Sequence, residues 1–129
     1  MLFFASASFA QKEVPTTAKT AFTKAFPNAT KVKWDKENND FEANFVLNGK
    51  EMSAVYDSNG ILMETEEAIK ISELPDGVAD YVRKHYHDTI VKEASKITKA
   101  NGEINYEAEI KGKDVLFDSS GKFIRDIED

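Results

Sequence analysis

The chain has 129 residues, of which 41% are hydrophobic, and it contains no cysteine. This composition is typical of a globular domain, and it excludes a disulfide framework, a thiol nucleophile and a cysteine-based zinc site. The 23 acidic and 17 basic residues give a formal net charge of −6. Because a negatively charged chain repels a phosphate backbone, we do not expect nucleic acid to be a partner.

The first ten residues, MLFFASASFA, carry no charged side chain. Ser8 and Ala10 occupy the −3 and −1 positions before Gln11, in the small-residue pattern that closes a secretory signal. We therefore interpret residues 1–10 as the remnant of a signal peptide and predict a periplasmic or secreted protein. No later stretch approaches the roughly 20 apolar residues that a membrane-spanning helix needs.

A short amphipathic helix is predicted after Val14-Pro15. One helix face is apolar at the i, i+3, i+4 spacing, with Ala18, Ala21, Phe22, Ala25 and Phe26. Proline is tolerated in a first helical turn, whereas Pro27 cannot continue the helix and restricts the residue before it. The helix should therefore end close to Phe26.

Runs of alternating apolar and polar residues follow this helix, within residues 31–35, 41–48 and 51–57. This alternation is the period of a half-buried strand. It places four aromatic residues in the core: Trp34, Phe41, Phe45 and Tyr56. The polar side chains fall on the opposite face, which we expect to be exposed to water. Asn48-Gly49 predicts a two-residue hairpin, because both residues accept a positive φ.

The second half of the chain repeats the motifs of the first about sixty residues later. Four matches occur in the same order: Val14-Pro15 with Leu74-Pro75, Phe41-Glu42-Ala43 with Tyr106-Glu107-Ala108, Gly49-Lys50-Glu51 with Gly112-Lys113-Asp114, and residues 55–60 with 116–121. A second helix stripe contains Val78, Tyr81, Val82, His85 and Tyr86, and a second alternating strand covers residues 104–110. We therefore predict two repeats, residues 11–72 and 73–129.

Each repeat should consist of a helix followed by about four antiparallel strands. Period-two alternation argues against a buried parallel sheet. The predicted fold class is α+β, in which two tandem helix-plus-meander repeats form one sheet with the helices on one face.

The order of these motifs resembles the PepSY-like proteins, small exported proteins common in Bacteroidetes and described as β-lactamase-inhibitor-like. The resemblance covers about Val14 to Asp129 and includes the Phe26-Pro27 helix end, the Val-x-Trp strand at Trp34 and an aromatic-Asp-x-x-Gly hairpin in each half. It implies a periplasmic domain that binds or inhibits peptidases through an open sheet face, without catalytic residues. The second repeat departs from the pattern, with Tyr86-His87 at the aromatic-Pro position and Ala94 at that of Trp34.

Binding through the polar sheet face is the function we expect. No serine lies in a nucleophile motif and no glycine-rich phosphate loop is present. His85 and His87 are two residues apart, whereas chelation from one helix face needs a spacing of four. We predict a non-enzymatic periplasmic module that engages a protein or peptide without a cofactor. Inhibition of a peptidase is one form that this binding could take. The predicted binding face consists of Lys31, Lys33, Glu42, Asn44, Ser53, Glu107 and Glu109.

A calcium-responsive periplasmic binding protein is the alternative. Asp57-Ser58-Asn59-Gly60 resembles the opening of an EF-hand loop, in which Asp57 and Asn59 would supply oxygen ligands. The bidentate glutamate expected at the twelfth position is replaced by Ala68, and the same four residues are strong turn formers. The segment is therefore either a hairpin turn or a weak calcium loop, and the sequence leaves both open. It also leaves the oligomeric state open.

Overall fold

The structure is a computed structural model that describes residues 13–87 and 89–129. It contains two α-helices and eight strands, and the strands are neighbours in chain order within one antiparallel sheet. The predicted α+β class is therefore confirmed. The predicted signal-peptide remnant, residues 1–10, lies outside the described residues.

The chain divides into two compact units between Glu66 and Glu67. The repeat boundaries at 11–72 and 73–129 stay a prediction. The first unit contains α1 (Thr16–Ala25), β1 (Thr30–Glu37), β2 (Asp40–Leu47), β3 (Lys50–Tyr56) and the greater part of β4 (Leu62–Ile69). The second unit contains a short 3-10 helix (Ile71–Glu73), α2 (Val78–His85), β5 (Glu93–Lys99), β6 (Ile104–Ile110), β7 (Lys113–Asp118) and β8 (Phe123–Glu128).

The first unit buries its aromatic residues between α1 and one face of the strands. Ala18 and Phe22 of α1 are buried, and the Phe22 ring lies edge-on to Trp34 at 5.5 Å and to Phe45 at 5.0 Å. Such edge-to-face pairs stabilise the core beyond their burial, by about 0.5–1.5 kcal/mol each. The predicted core residues Trp34, Phe41, Phe45 and Tyr56 are all confirmed as buried.

The hairpin between β2 and β3 forms at the predicted place. Leu47 pairs with Lys50, and the two residues between them have positive φ angles, 52° at Asn48 and 79° at Gly49. A β-bulge between Thr30 and Lys33, with a φ of 54° at Lys31, was not expected. It interrupts the alternation at the start of β1, so Lys31 is not held in the register that positions Lys33.

The second unit fills its core differently. Val78 and Val82 of α2 pack against Ala108, Ile110, Val115 and Phe117. Ala94 stands where the first unit has Trp34. The Tyr81 ring of α2 stacks on Phe123 at 4.8 Å and lies edge-on to Phe117 at 5.6 Å. Tyr81 is therefore the aromatic residue through which α2 packs on β7 and β8.

The start of α2 differs from the prediction that Leu74-Pro75 opens the helix directly. The helix begins at Val78, because Gly77 adopts a left-handed φ of 92° and the chain turns between Pro75 and Gly77. In the first unit α1 begins immediately after Pro15.

Candidate binding face

In the first unit, polar side chains form two adjacent rows on the sheet face opposite α1. Lys33 pairs with Asn44, and Asn44 pairs with Ser53; we call these residues the Lys33 row. Asp35, Glu42 and Val55 form the next row in the same way. Directly opposite residues of antiparallel strands point to the same face with their Cβ atoms about 4.5–5.5 Å apart. The structure therefore brings Lys33, Glu42, Asn44 and Ser53 together.

Two acids within these rows accept hydrogen bonds from the same side-chain amide. The Asn44 side-chain amide donates to Asp35 Oδ2 and to Glu42 Oε1, at 3.2 Å in each case. Burial raises the pKa of Glu42 to about 8, the Asn44 hydrogen bond opposes this shift, and the charges of Glu37 and Glu66 add to it. Glu42 is therefore mainly protonated at neutral pH.

In the second unit, the equivalent face opposite α2 contains a row of three acids. Glu93 pairs with Glu109, and Glu109 pairs with Asp114; we call these residues the Glu93 row. The next row is Ser95, Glu107 and Leu116. Both predicted residues of this unit, Glu107 and Glu109, lie here on neighbouring positions of β6.

The expectation that the whole polar face is exposed to water is wrong for three residues. Glu42 is 5% exposed, Ser53 2% and Glu107 0%. All three lie on inner strands with a paired strand on either side. Lys33 is exposed, Asn44 and Glu109 are half-buried, and Lys31 is exposed beside the bulge.

Sequence reasoning missed Asp114, Glu93 and Ser95. The motif match had paired Asp114 with Glu51, whereas the strand register puts Asp114 at the position of Ser53. The reason is that the β6–β7 hairpin is two residues shorter on each strand than the β2–β3 hairpin, which shifts the correspondence. Alignment of the two hairpins from Ala43 and Ala108, rather than from Gly49 and Gly112, would have shown that Asp114 corresponds to Ser53.

The register makes the two rows equivalent, and they differ in charge. Lys33, Asn44 and Ser53 provide one cation, whereas Glu93, Glu109 and Asp114 provide three carboxyl groups. Burial, followed by the hydrogen bond and charge of Asp129 and then the charge of Glu109, raises the pKa of Asp114 to about 7. The contrast between one cation and three carboxyl groups is the clearest chemical difference between the two polar faces.

The proposed calcium residues form a hairpin turn. Asp57 Oδ1 accepts hydrogen bonds from the backbone N–H groups of Asn59, at 2.8 Å, and Ile61, at 3.0 Å. Asp118 Oδ1 does the same with Ser120 and Lys122, at 2.9 Å in each case. Within residues 13–87 and 89–129, no group of three histidine or acidic side chains is arranged to hold a metal ion. Hydrogen bonds within the two turns explain why an aspartate stands at positions 57 and 118. Calcium binding stays a prediction.

The two histidines lie at the end of α2 and just beyond it, so neither shares a polar sheet face. His85 stacks on Tyr81 at 3.9 Å, and its Nδ1 lies 3.0 Å from the Tyr81 carbonyl oxygen.

Two helix-plus-meander units in tandem, each with a polar sheet face, define a small repeat protein of the α+β class. The chain belongs to the PepSY-like family, described as putative beta-lactamase-inhibitor-like, whose model matches residues 5–63 and 45–125. The resemblance drawn from the motifs is thus confirmed. Comparison with curated proteins finds no match.

Solved structures from Bacteroides share this fold. One, described as a putative periplasmic protein of Bacteroides eggerthii, has a TM-score of 0.76 at 16% identity, with 89% of this chain and 88% of that chain covered. A DUF2874 family protein of Bacteroides uniformis has a TM-score of 0.75 at 19% identity, with 88% of each chain covered. A BLIP-like protein of Bacteroides fragilis has a TM-score of 0.63 at 24% identity, with 88% and 86% covered.

Identities this low establish the shared fold alone. Neither α1 nor α2, nor any other helix in the described ranges, is long and apolar enough to cross a membrane.

Proposed function

We propose that this protein is a non-enzymatic periplasmic module that binds a protein or peptide through the polar faces of its two units. The observation that carries the proposal is that each helix covers only one face of its strands. The other face contains the Lys33 row and the Glu93 row, of which Lys33 and Glu93 are exposed and Asn44 and Glu109 half-buried. Ordered rows of mixed polar groups suit a partner surface, because electrostatic complementarity supplies specificity and orientation.

The family description supports a binding role, because a protein inhibitor acts by binding another protein. Periplasmic location is supported by the signal-like residues 1–10 and by the description of the Bacteroides eggerthii relative. Peptidase inhibition is one form that such binding would take.

Exposed charges on the two polar faces offer the first contacts. Lys33 and Glu93 are exposed at the edges of their rows, and Glu51 and Arg125 are exposed elsewhere on the same faces. Rim charges of this kind mainly affect the rate of association and its salt dependence. Partner binding should therefore weaken as ionic strength rises.

Affinity capture with two charge-neutral double variants tests the proposal. The sheet variant combines Lys33→Glu with Glu93→Lys, and the control combines Lys24→Glu on α1 with Asp80→Lys on α2. All four side chains are exposed, and both doubles preserve the net charge. The wild type and the helix control should retain the same protein from a Bacteroides periplasmic extract, and the sheet variant should retain roughly tenfold less, as for lost charge complementarity.

Two results would contradict the proposal. One is the absence of any protein above background for the cross-linked wild type. The other is equal retention by the two double variants, which would place the interaction off the polar faces.

A further inference from the structure

The Glu93 row brings three carboxyl groups to directly opposite positions on β5, β6 and β7. The first unit builds the same three positions from Lys33, Asn44 and Ser53. The fold therefore does not require acids at this place.

Two buried acceptors lie on the same face as the Glu93 row. Ser95 is 0% exposed and adjoins the row on β5, and Asn105 is 6% exposed on β6. In the described part of the chain, neither Ser95 Oγ nor Asn105 Oδ1 has a hydrogen-bond partner. An amide oxygen can only accept hydrogen bonds, and a hydroxyl can accept as well as donate. The face therefore favours a ligand rich in N–H donors.

The carboxyl groups of the row suit a cation that is larger than a metal ion. Within the described residues, no group of three acidic or histidine side chains is arranged to hold a metal ion. The same face also contains Asp118 beside Asn105, and two cations lie on it beyond the row, Lys99 at the end of β5 and Arg125 beyond Leu116. A planar guanidinium spans neighbouring carboxylates, because its five N–H groups form a rigid fork.

We propose that the Glu93 row docks the guanidinium of an arginine side chain from a protein or peptide partner. Glu93 is exposed and Glu109 half-buried, so the cation enters from the β5 and β6 side. Asp114 lies deeper, at 4% exposure. The inference rests on the proposed function, of which it names the partner chemistry for one unit.

Amide NMR spectra of the ¹⁵N-labelled protein test this inference with defined peptides. The probe is acetyl-Gly-Arg-Gly-amide, and the matched peptide contains citrulline, which has the shape of arginine without its charge. We expect the arginine peptide to shift the signals of Glu93, Ser95 and Glu109 and to leave those of Lys33, Asn44 and Ser53 in place. The citrulline peptide should bind at least about tenfold more weakly, as expected for a lost charge-assisted pair.

Variants make the assignment specific. Glu93→Gln and Glu109→Gln should each weaken arginine-peptide binding several-fold, whereas Asp80→Asn on α2 removes the same charge from an exposed position and should leave binding unchanged. The spectra report folding directly, so a variant that unfolds is recognised. Asp114→Asn is kept as a second variant, since that carboxyl group is buried.

The outcomes separate this inference from the proposed function. Equal binding of both peptides at the second polar face would overturn the cation inference and leave the proposed function standing. Shifts spread evenly over the protein, no shift at all, or the same shifts with calcium chloride alone would also overturn it. The proposed function fails separately, through the affinity capture with the sheet and helix double variants.

Discussion

Gly60 lies directly against the backbone of Thr17 at the start of α1. A Cβ atom placed on Gly60 would be 2.7 Å from the Thr17 carbonyl carbon. The second unit repeats this contact, since a Cβ on Gly121 would be 2.5 Å from the Asp76 carbonyl oxygen. The β3–β4 and β7–β8 turns thus each dock on the chain that leads into their own helix.

Gly60→Ala should destabilise the protein strongly, by about 2–4 kcal/mol, because it combines a left-handed φ of 81° with a clash against backbone. Gly49→Ala is the matched control. Gly49 has a similar φ of 79° but nothing within 4 Å of the added Cβ, so the loss should be about 1 kcal/mol. Urea unfolding measures both. Equal losses of stability in the two variants would show that the close contact between Gly60 and Thr17 does not stabilise the protein.

Asp57→Ala should lower the melting temperature by the same amount in millimolar calcium and in a chelator. The physical reason is the loss of two backbone hydrogen bonds to Asp57 Oδ1. Asp57→Asn keeps an oxygen at that position and should be milder. A wild-type melting temperature that rises with calcium, and fails to rise in Asp57→Ala, would instead support the calcium-responsive alternative.

Tyr86→Phe should raise the pKa of Asp126. The Tyr86 hydroxyl donates to Asp126 Oδ2 at 2.6 Å, and this hydrogen bond is the main cause that lowers the pKa of Asp126. A folded-state pKa below the unfolded-state pKa stabilises the fold at pH values above the unfolded-state pKa. This contribution to stability is lost as the pH falls through the folded-state pKa. An NMR titration of the Asp126 carboxyl group measures the shift. Tyr106→Phe on β6 is the control and should leave it unchanged.

Glu42 makes the stability of the first unit depend on pH. Its pKa rises from 4.5 to about 8, so between these values the folded state binds more protons than the unfolded state. Stability should therefore fall as the pH rises through this window. Glu42→Gln should remove the effect and stabilise the protein at pH 9 on the order of 3 kcal/mol, allowing for partial access of solvent.

The control for this prediction is Glu51→Gln, which removes an exposed acid of β3. Denaturant unfolding at pH 5, 7 and 9 compares the three proteins. A stability profile of Glu42→Gln parallel to that of the wild type would show that Glu42 is not the titrating group.

Local chemistry was enough to predict the repeat, the Asn48-Gly49 hairpin, the aromatic core of the first unit and the burial of Ala18 and Phe22 on α1, whereas Ala25 of the predicted stripe is exposed. These features depend on period, on turn residues and on proline, all of which act over a few residues. The same signals could not locate the bulge at Lys31, because its register depends on β2. Nor could they show that Tyr81 packs on Phe117 and Phe123, since these residues meet only in the folded core of the second unit.

The polar faces show the same limit. Alternation correctly assigned Glu42, Ser53 and Glu107 to the face opposite the helices, but it could not say that they are buried. Burial depends on the tertiary structure around each side chain. Glu93 and Asp114 were missed for a related reason, because they join Glu109 in one row only through the pairing of β5, β6 and β7.

Site-specific photo-crosslinking tests the central claim most directly. A benzoylphenylalanine is placed at Lys33 or Glu93 on the polar faces, or at Lys24 or Lys84 on the helices, all of which are exposed. We predict that light produces a covalent adduct with the captured partner from Lys33 and Glu93, and none from Lys24 or Lys84. Adducts that form only from the helix positions would contradict binding through the sheet.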